Sequence, residues 1–91
     1  MLKIDRVVTL TAGTTASTVK VNGLACLLQN NSESATVYFK EKSEDGKAAT
    51  ASNGFTLGAG KTTEIPLVAR ELSIVASDAS TDVRVLILDL G

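Results

Sequence analysis

Residues 54–67 of the chain read Gly-Phe-Thr-Leu-Gly-Ala-Gly-Lys-Thr-Thr-Glu-Ile-Pro-Leu. Apolar and polar side chains alternate before the glycines, at 55–57, and again after them, at 62–67. A period of two residues is typical of β-strands that bury one face. The stretch therefore predicts a β-hairpin of two strands joined by a glycine turn, with Phe55 in the core.

The same alternation recurs along the rest of the chain. We expect further strands at 3–10, 18–21, 24–29, 36–42, 71–77 and 83–90. Asn22-Gly23 is a strong signal for a tight hairpin, whereas the polar run 43–53 predicts an exposed loop. No window has the apolar period of an amphipathic helix. About seven or eight short strands predict an all-β chain, folded as a single antiparallel β-sandwich or a jelly-roll-like small barrel.

The alternation also predicts which side chains face the core. In the first strand we expect Ile4, Val8 and Leu10 on one face and Val7 on the other. The segment 24–29 is apolar on both faces, so we expect it to be covered on both sides. It contains Cys26, the only cysteine. No intramolecular disulfide is possible, so Cys26 is expected to be a buried and unreactive residue.

Length and charge limit the possible partners. A chain of 91 residues is expected to form one domain, residues 1–91. Nine Lys and Arg balance ten Asp and Glu without a basic cluster, which argues against a nucleic-acid partner. No apolar run reaches the roughly 18 residues of a membrane span, and no signal-peptide pattern opens the chain. We therefore expect no membrane partner and synthesis in the cytoplasm.

The sequence offers no catalytic constellation. It has no histidine, the commonest general base and a frequent metal ligand. Gly60-Lys61-Thr62 resembles the end of a nucleotide-binding loop, but the first glycine of that motif would fall on Phe55, and the following residues alternate as a strand. Glu44-Asp45-Gly46 supplies too few carboxylates for a calcium loop. We expect no enzyme activity, no catalytic residue, no cofactor and no metal.

Three segments, in order, resemble small jelly-roll-like β-sandwich modules of tailed-phage virions. They are Leu-Ala-Cys-Leu-Leu-Gln-Asn at 24–30 with Ala-Thr-Val-Tyr-Phe at 35–39, the glycine stretch at 54–65, and Leu-Ser-Ile-Val-Ala-Ser at 72–77 with Val-Arg-Val-Leu-Ile-Leu at 83–88. The resemblance implies a non-enzymatic virion structural protein that contacts phage capsid or tail proteins. Within that class a bare module of this size is expected to be a capsid decoration (cement) protein of a bacteriophage, located in the virion.

Two alternatives stay open at this point. The module could belong to a phage tail or fibre, or it could be a carbohydrate- or surface-binding β-sandwich. Sugar-binding modules usually present exposed aromatic rings, and the chain has one Tyr, two Phe and no Trp. Only Tyr38 is expected to point outward, because Phe39 and Phe55 fall on core positions of the alternation.

The last strand predicts self-association. Its residues Val83, Val85 and Ile87 alternate with a second set, Arg84, Leu86, Leu88 and Leu90. If the first set faces the core, the second exposes an apolar strip, which soluble monomers generally avoid. Either the loop 43–53 or another subunit must cover it. We expect a homo-oligomer, a homotrimer if the protein decorates three-fold capsid positions, with Arg84, Leu86, Leu88 and Leu90 at the interface.

Overall fold

The structure, a computed structural model, describes residues 1–42, 46–66 and 71–90, and only the backbone of Pro66. Within these ranges it contains eight strands and no helix. The strands are β1 (Leu2–Ala12), β2 (Ser17–Lys20), β3 (Ala25–Asn30), β4 (Val37–Glu41), β5 (Phe55–Leu57), β6 (Thr62–Pro66), β7 (Glu71–Ala76) and β8 (Thr81–Leu90). The expected all-β class is confirmed.

The strands form two antiparallel sheets of four. One, here called the β1 sheet, has the order β1-β8-β3-β6, and the other, the β2 sheet, has the order β2-β7-β4-β5. First pairs with last, second with seventh, third with sixth and fourth with fifth. A long hairpin with its tip between β4 and β5, rolled up on itself, would give these pairings. This order is that of a jelly roll, so the expected jelly-roll-like sandwich is confirmed.

The expected hairpin in residues 54–67 is wrong. β5 pairs with β4 in the β2 sheet, whereas β6 pairs with β3 in the β1 sheet. The glycine turn between them is present, with Gly60 at a φ of 72° and the Lys61 N–H donating to the Gly58 carbonyl. It carries the chain from one sheet to the other. Local alternation predicts a strand and a turn but says nothing about which strand becomes the partner. Leu67 lies outside the described residues.

Asn22-Gly23 is also a crossing between sheets and not a hairpin, because β2 and β3 lie in different sheets. The glycine is required for a different reason. A Cβ at Gly23 would lie 2.5 Å from the carbonyl oxygen of Leu88. The next residue, Leu24, donates its N–H to that same oxygen at 2.9 Å. Gly23 therefore allows the chain to approach β8 closely as it enters the β1 sheet.

The core fills the space between the sheets. Its fully or nearly fully buried members lie on strands of both sheets or directly follow one: Ala12, Val19, Val21, Cys26, Leu28, Val37, Leu57, Leu72, Ile74, Ala76, Val83, Val85 and Ile87. The inward face expected for the last strand, with Val83, Val85 and Ile87, is confirmed. Cys26 is buried and unpaired as expected, and burial raises the pKa of its thiol because the thiolate is poorly solvated there.

A bulge in β1 overturns one expected position. Ile4 pairs with Leu88 and Arg6 with Ile87, so Asp5 is an extra residue in β1. An extra residue shifts the alternation by one and moves side chains to the other face. Ile4 therefore shares the outer face with Val7, whereas Val8 and Leu10, beyond the bulge, pack against the core.

Phe55 is a second correction, since its side chain is 75% exposed. It lies at the start of the edge strand β5, opposite Phe39, and the two ring centroids are 5.8 Å apart. Only Phe39 packs against the core cluster. A short strand at the margin of a sheet leaves its first inward position beyond the reach of the opposite sheet.

Candidate functional site

The outer face of the β1 sheet, the face turned away from the β2 sheet, is divided into two halves. The strand register places eight apolar side chains in adjacent rows at one end of this face. We call this set the apolar half-face: Leu2, Ile4, Val7, Ala25, Leu27, Leu86, Leu88 and Leu90. The bulge at Asp5 completes it, because without the extra residue Val7 and Ile4 would lie on opposite faces.

Much of the apolar half-face is exposed. Ile4 is 62%, Val7 54% and Leu90 65% exposed, and Leu27 is half-buried. The expectation that the 24–29 segment is covered on both sides is therefore only half right, since Cys26 is buried and Leu27 is not. Contiguous apolar patches of this kind mark interaction surfaces in soluble proteins.

The other half of the same face is polar. Its rows contain Thr9, Thr11, Gln29, Thr62, Asp82 and Arg84. The Arg84 guanidinium lies 3.2 Å from the Asp82 carboxylate, which also accepts a 2.9 Å hydrogen bond from the side-chain amide of Asn31. These contacts, the Asn31 bond first, lower the pKa of Asp82. The face thus presents an apolar surface with a polar margin, the usual pattern of a protein interface.

The residues that the sequence singled out lie on this face. Leu86, Leu88 and Leu90 belong to the apolar half-face, and Arg84 lies in the polar half. Sequence reasoning missed their neighbours on β1 and β3, such as Val7 and Leu27. A period-two pattern shows the face within one strand, but only the pairing of β8 with β1 and β3 shows that these strips join.

The outer face of the β2 sheet is different, because residues 46–53 lie across it. The Ala49 N–H donates to the hydroxyl of Ser73 at 2.8 Å, and Ser73 is fully buried. Beside it, the outward-facing Val75 is only 8% exposed. The described part of the 43–53 loop therefore covers the β2 sheet, and it does not cover the leucine strip of β8.

The covering segment is fixed by its own hydrogen bonds. Asn53 accepts from the Thr50 N–H at 2.6 Å and donates through its side-chain amide to the Ala48 carbonyl at 3.1 Å. At the other end, the Lys40 ammonium donates to the Lys47 carbonyl at 2.9 Å. Each of these hydrogen bonds satisfies a polar group of a segment without regular secondary structure. Residues 46–53 therefore have a defined conformation in the fold.

Asn30 is a fully buried polar residue to which the sequence pattern assigned no role. Its side-chain amide donates to the carbonyls of Ala35 at 2.9 Å and Leu57 at 3.0 Å, and its oxygen accepts from the N–H and hydroxyl of Ser32. These contacts tie the end of β3 to the end of β5 in the opposite sheet. A polar residue that directly ends an apolar strand is the one signal that pointed to this role.

The candidate metal-binding and nucleotide-binding residues form no such site in the described parts of the chain. Residues 1–42, 46–66 and 71–90 contain no group of three His, Cys, Asp or Glu side chains placed to hold a metal ion. Glu44 and Asp45, the candidate calcium ligands, lie outside the described residues. Lys61 is an exposed residue just after the glycine turn. Those same ranges contain no helix with the length and apolarity needed to cross a membrane.

The apolar half-face is thus the feature of the described surface that best fits an interaction site. It combines aliphatic side chains from β1, β3 and β8 with a polar margin on the same sheet. Comparison of the chain with known protein families, with curated proteins and with solved structures found no match.

Proposed function

We propose that the protein is a non-enzymatic structural protein of a tailed-phage virion, a capsid decoration protein, that assembles through its apolar half-face. The observation that carries the proposal is the contiguous set of eight apolar side chains on the outer face of the β1 sheet, four of which are exposed. The fold supports it, because viral capsid domains are among the proteins that use jelly rolls. The three sequence segments that resemble phage modules support it further.

The physical drive for assembly is burial of this half-face. Complete burial of one leucine or isoleucine side chain contributes about 1.5–3 kcal/mol, and Ile4 and Leu90 are both more than half exposed. A small sandwich also gains stability from a partner that binds only its folded state. The partners are a second copy of the chain and the capsid surface. A homotrimer is the expected assembly if the protein decorates three-fold positions.

The proposal is tested first on virus particles. Phage particles from the source of the gene would be purified by density gradient, and peptides of this chain would be quantified against the major capsid protein. A fixed ratio in filled heads, retained after tails are removed, supports a decoration protein. A ratio that follows the tail fraction favours the tail or fibre alternative. Absence from washed particles contradicts the virion role.

The role of the apolar half-face is tested by light scattering on the purified protein. Leu90→Asp should weaken association by about ten- to a hundred-fold, as expected from the loss of one buried leucine. Phe55→Asp is the matched control, because Phe55 is also a large exposed apolar residue but lies on the β2 sheet. Equal effects of the two substitutions, or a monomeric wild-type protein at high micromolar concentration, would contradict the assembly role.

One observation favours the second candidate, a carbohydrate- or surface-binding module. Phe55 presents an exposed ring beside Phe39 at the margin of the β2 sheet, and sugars stack on such rings. Retention on a polysaccharide resin that is lost in Phe55→Ala but kept in Leu90→Asp would support this function. A wild-type protein that is not retained on the resin would leave the virion proposal as the better account.

A further inference from the structure

The edges of the two sheets differ in their capacity to accept another strand. An edge strand presents unpaired N–H and C=O groups, and natural proteins protect such edges with short strands, proline, charges or bulges. In the described structure the β2 sheet ends in β2 and β5, of four and three residues. β6 has five residues and ends in Pro66, which lacks an N–H. β1 is an edge strand of eleven residues.

The protective features of β1 are confined to its first half. Lys3, Asp5 and Arg6 carry charge, and the bulge at Asp5 interrupts the ladder. The second half, residues 7–12, reads Val-Val-Thr-Leu-Thr-Ala, with no charge, no glycine and no proline. Its register with β8 is regular throughout. An uncharged, β-branched segment of about six residues on a free edge is typical of segments that add to other strands.

The side chains of this segment are also only partly covered. Val7, Thr9 and Thr11 are exposed on the outer face, and Val8 and Leu10 on the inner face are half-buried. A strand added alongside would shield Val8 and Leu10, and it would pair the free backbone groups of residues 7–12. The backbone of this edge thus has hydrogen-bonding groups without a strand partner, and most of its side chains are still partly exposed to solvent.

We propose that residues 7–12 of β1 pair antiparallel with the same segment of a second copy, which joins two β1 sheets of four strands into one continuous sheet. The occupant is a second copy because residues 7–12 form the longest uncharged run among the described edge strands. The same run on a second copy has the same length and also lacks charge. Such pairing is isologous and has two-fold symmetry. The inference rests on the proposed self-association and gives it a geometry.

This geometry has consequences that differ from those of face packing alone. Because the pairing is antiparallel, the two apolar half-faces lie at opposite ends of the paired segments on the outer side of the joined sheet. Each half-face then remains available to a capsid or to further copies. A two-fold pairing gives an even number of copies, whereas a trimer built only from apolar half-faces leaves the β1 edge unpaired.

Two lysines on the edge strand test the proposal. Thr9→Lys with Thr11→Lys adds charge at two exposed positions of β1, and like charges would then oppose each other across the strand pair. The matched control is Thr18→Lys with Thr56→Lys, two exposed threonines on the short edges of the β2 sheet. Association is measured by light scattering, and amide protection in residues 7–12 by hydrogen exchange with NMR detection.

We expect an even-numbered wild-type assembly that dissociates at least tenfold more readily in the β1 variant and is unchanged in the control. Amides of residues 7–12 that do not bond to β8 should gain protection as the protein concentration rises. A trimer unaffected by the β1 lysines would overturn the edge pairing while leaving the proposed function intact. An even-numbered assembly whose edge amides stay unprotected would also overturn it. A monomer would overturn both the edge pairing and self-association through the apolar half-face, whereas the virion role is decided by the particle experiment.

Discussion

The two outer faces of this sandwich differ in how far their apolar side chains are shielded from water. On the β2 sheet, the outward-facing Val75 lies under residues 46–53 and is 8% exposed. On the β1 sheet, the outward-facing Val7 belongs to the apolar half-face and is 54% exposed. Both residues are valines with outward-facing side chains, Val75 on a central strand and Val7 on an edge strand. The chain covers one face with its own loop and leaves several apolar side chains of the other face exposed.

The difference teaches that a loop covers a sheet through polar anchors as much as through apolar contact. Residues 46–53 are held on the β2 sheet by the bond from Ala49 to Ser73 and by the internal contacts of Asn53. On the apolar half-face the outward positions are aliphatic, and such side chains offer no hydrogen-bond acceptor to an irregular backbone. A surface of that kind suits another ordered surface better than a loop, because an unsatisfied backbone group is costly to bury.

The largest expected effect comes from placing the same charge on both faces. Val75→Asp should lower the free energy of unfolding by about 3–5 kcal/mol, because an unpaired carboxylate would be buried under the loop. Val7→Asp should lower it by about 1 kcal/mol or less in the monomer, where the carboxylate remains hydrated. Urea denaturation of dilute protein measures both values.

Labelling of the buried Cys26 thiol supplies an independent readout of the same comparison. It should stay slow in the wild-type protein and in Val7→Asp, and become fast in Val75→Asp. If Val75→Asp does not fold, Val75→Thr buries a single hydroxyl and should still destabilise more than Val7→Thr. Equal losses at the two positions would mean that the faces are not different in solution.

An intermediate effect is expected at the anchor of the covering loop. Ser73→Ala removes the acceptor of the Ala49 N–H and leaves this buried donor without a partner, at a cost of about 1–3 kcal/mol. Residues 46–53 should then open more often. Hydrogen exchange should show lost protection at Ala49, and limited proteolysis should cut the loop sooner.

The matched control for the loop anchor is Ser77→Ala, whose hydroxyl accepts from the Thr36 N–H at an exposed site. Water can replace that bond, so the control should cost less. A loop that remains protected in Ser73→Ala would show that apolar contact alone holds it, which would remove the distinction between the two faces.

The smallest effect concerns the polar half of the uncovered face. The hydrogen bond from Asn31 and the neighbouring Arg84 lower the pKa of Asp82 in the folded chain. A carboxyl with a lower pKa when folded stabilises the fold above its unfolded value, near pH 4, and loses that contribution as the pH falls through the folded value. Asp82→Asn should therefore reduce stability slightly at neutral pH and not in strong acid.

Urea midpoints of the wild-type protein and of Asp82→Asn, measured across this pH range, check the expectation. The two curves should converge as the pH falls below about 4. A constant separation between them at every pH would show that the Asp82 charge contributes nothing and that the substitution acts only through the shape of the side chain.

Much of the secondary structure followed from local pattern. Alternation correctly gave the buried side of β8 at Val83, Val85 and Ile87, and with it the outward position of its leucines. It failed at Ile4, because a bulge is an insertion in register that becomes visible only against the partner strand. It failed at Phe55 as well, because burial at a sheet margin depends on how far the opposite sheet extends.

The site was only partly predictable for the same reason. Arg84, Leu86, Leu88 and Leu90 lie on one face of one strand, so the sequence alone could group them. Leu2, Ile4 and Val7 join them through pairing between residues about eighty positions apart. Asn30 gained its role from carbonyls at Ala35 and Leu57, the second of them 27 residues away.

The sequence by itself determined that the chain is made of β-strands, which faces most of them bury, and that one strand has an apolar second face. These properties depend on a period of two residues, which is local in the chain. Tertiary structure decided that Asn22-Gly23 and the 54–67 stretch cross between sheets, and that residues 46–53 cover the β2 sheet. Those outcomes depend on contacts between distant segments, whose free energies compete across the whole fold and leave no periodic mark in the sequence.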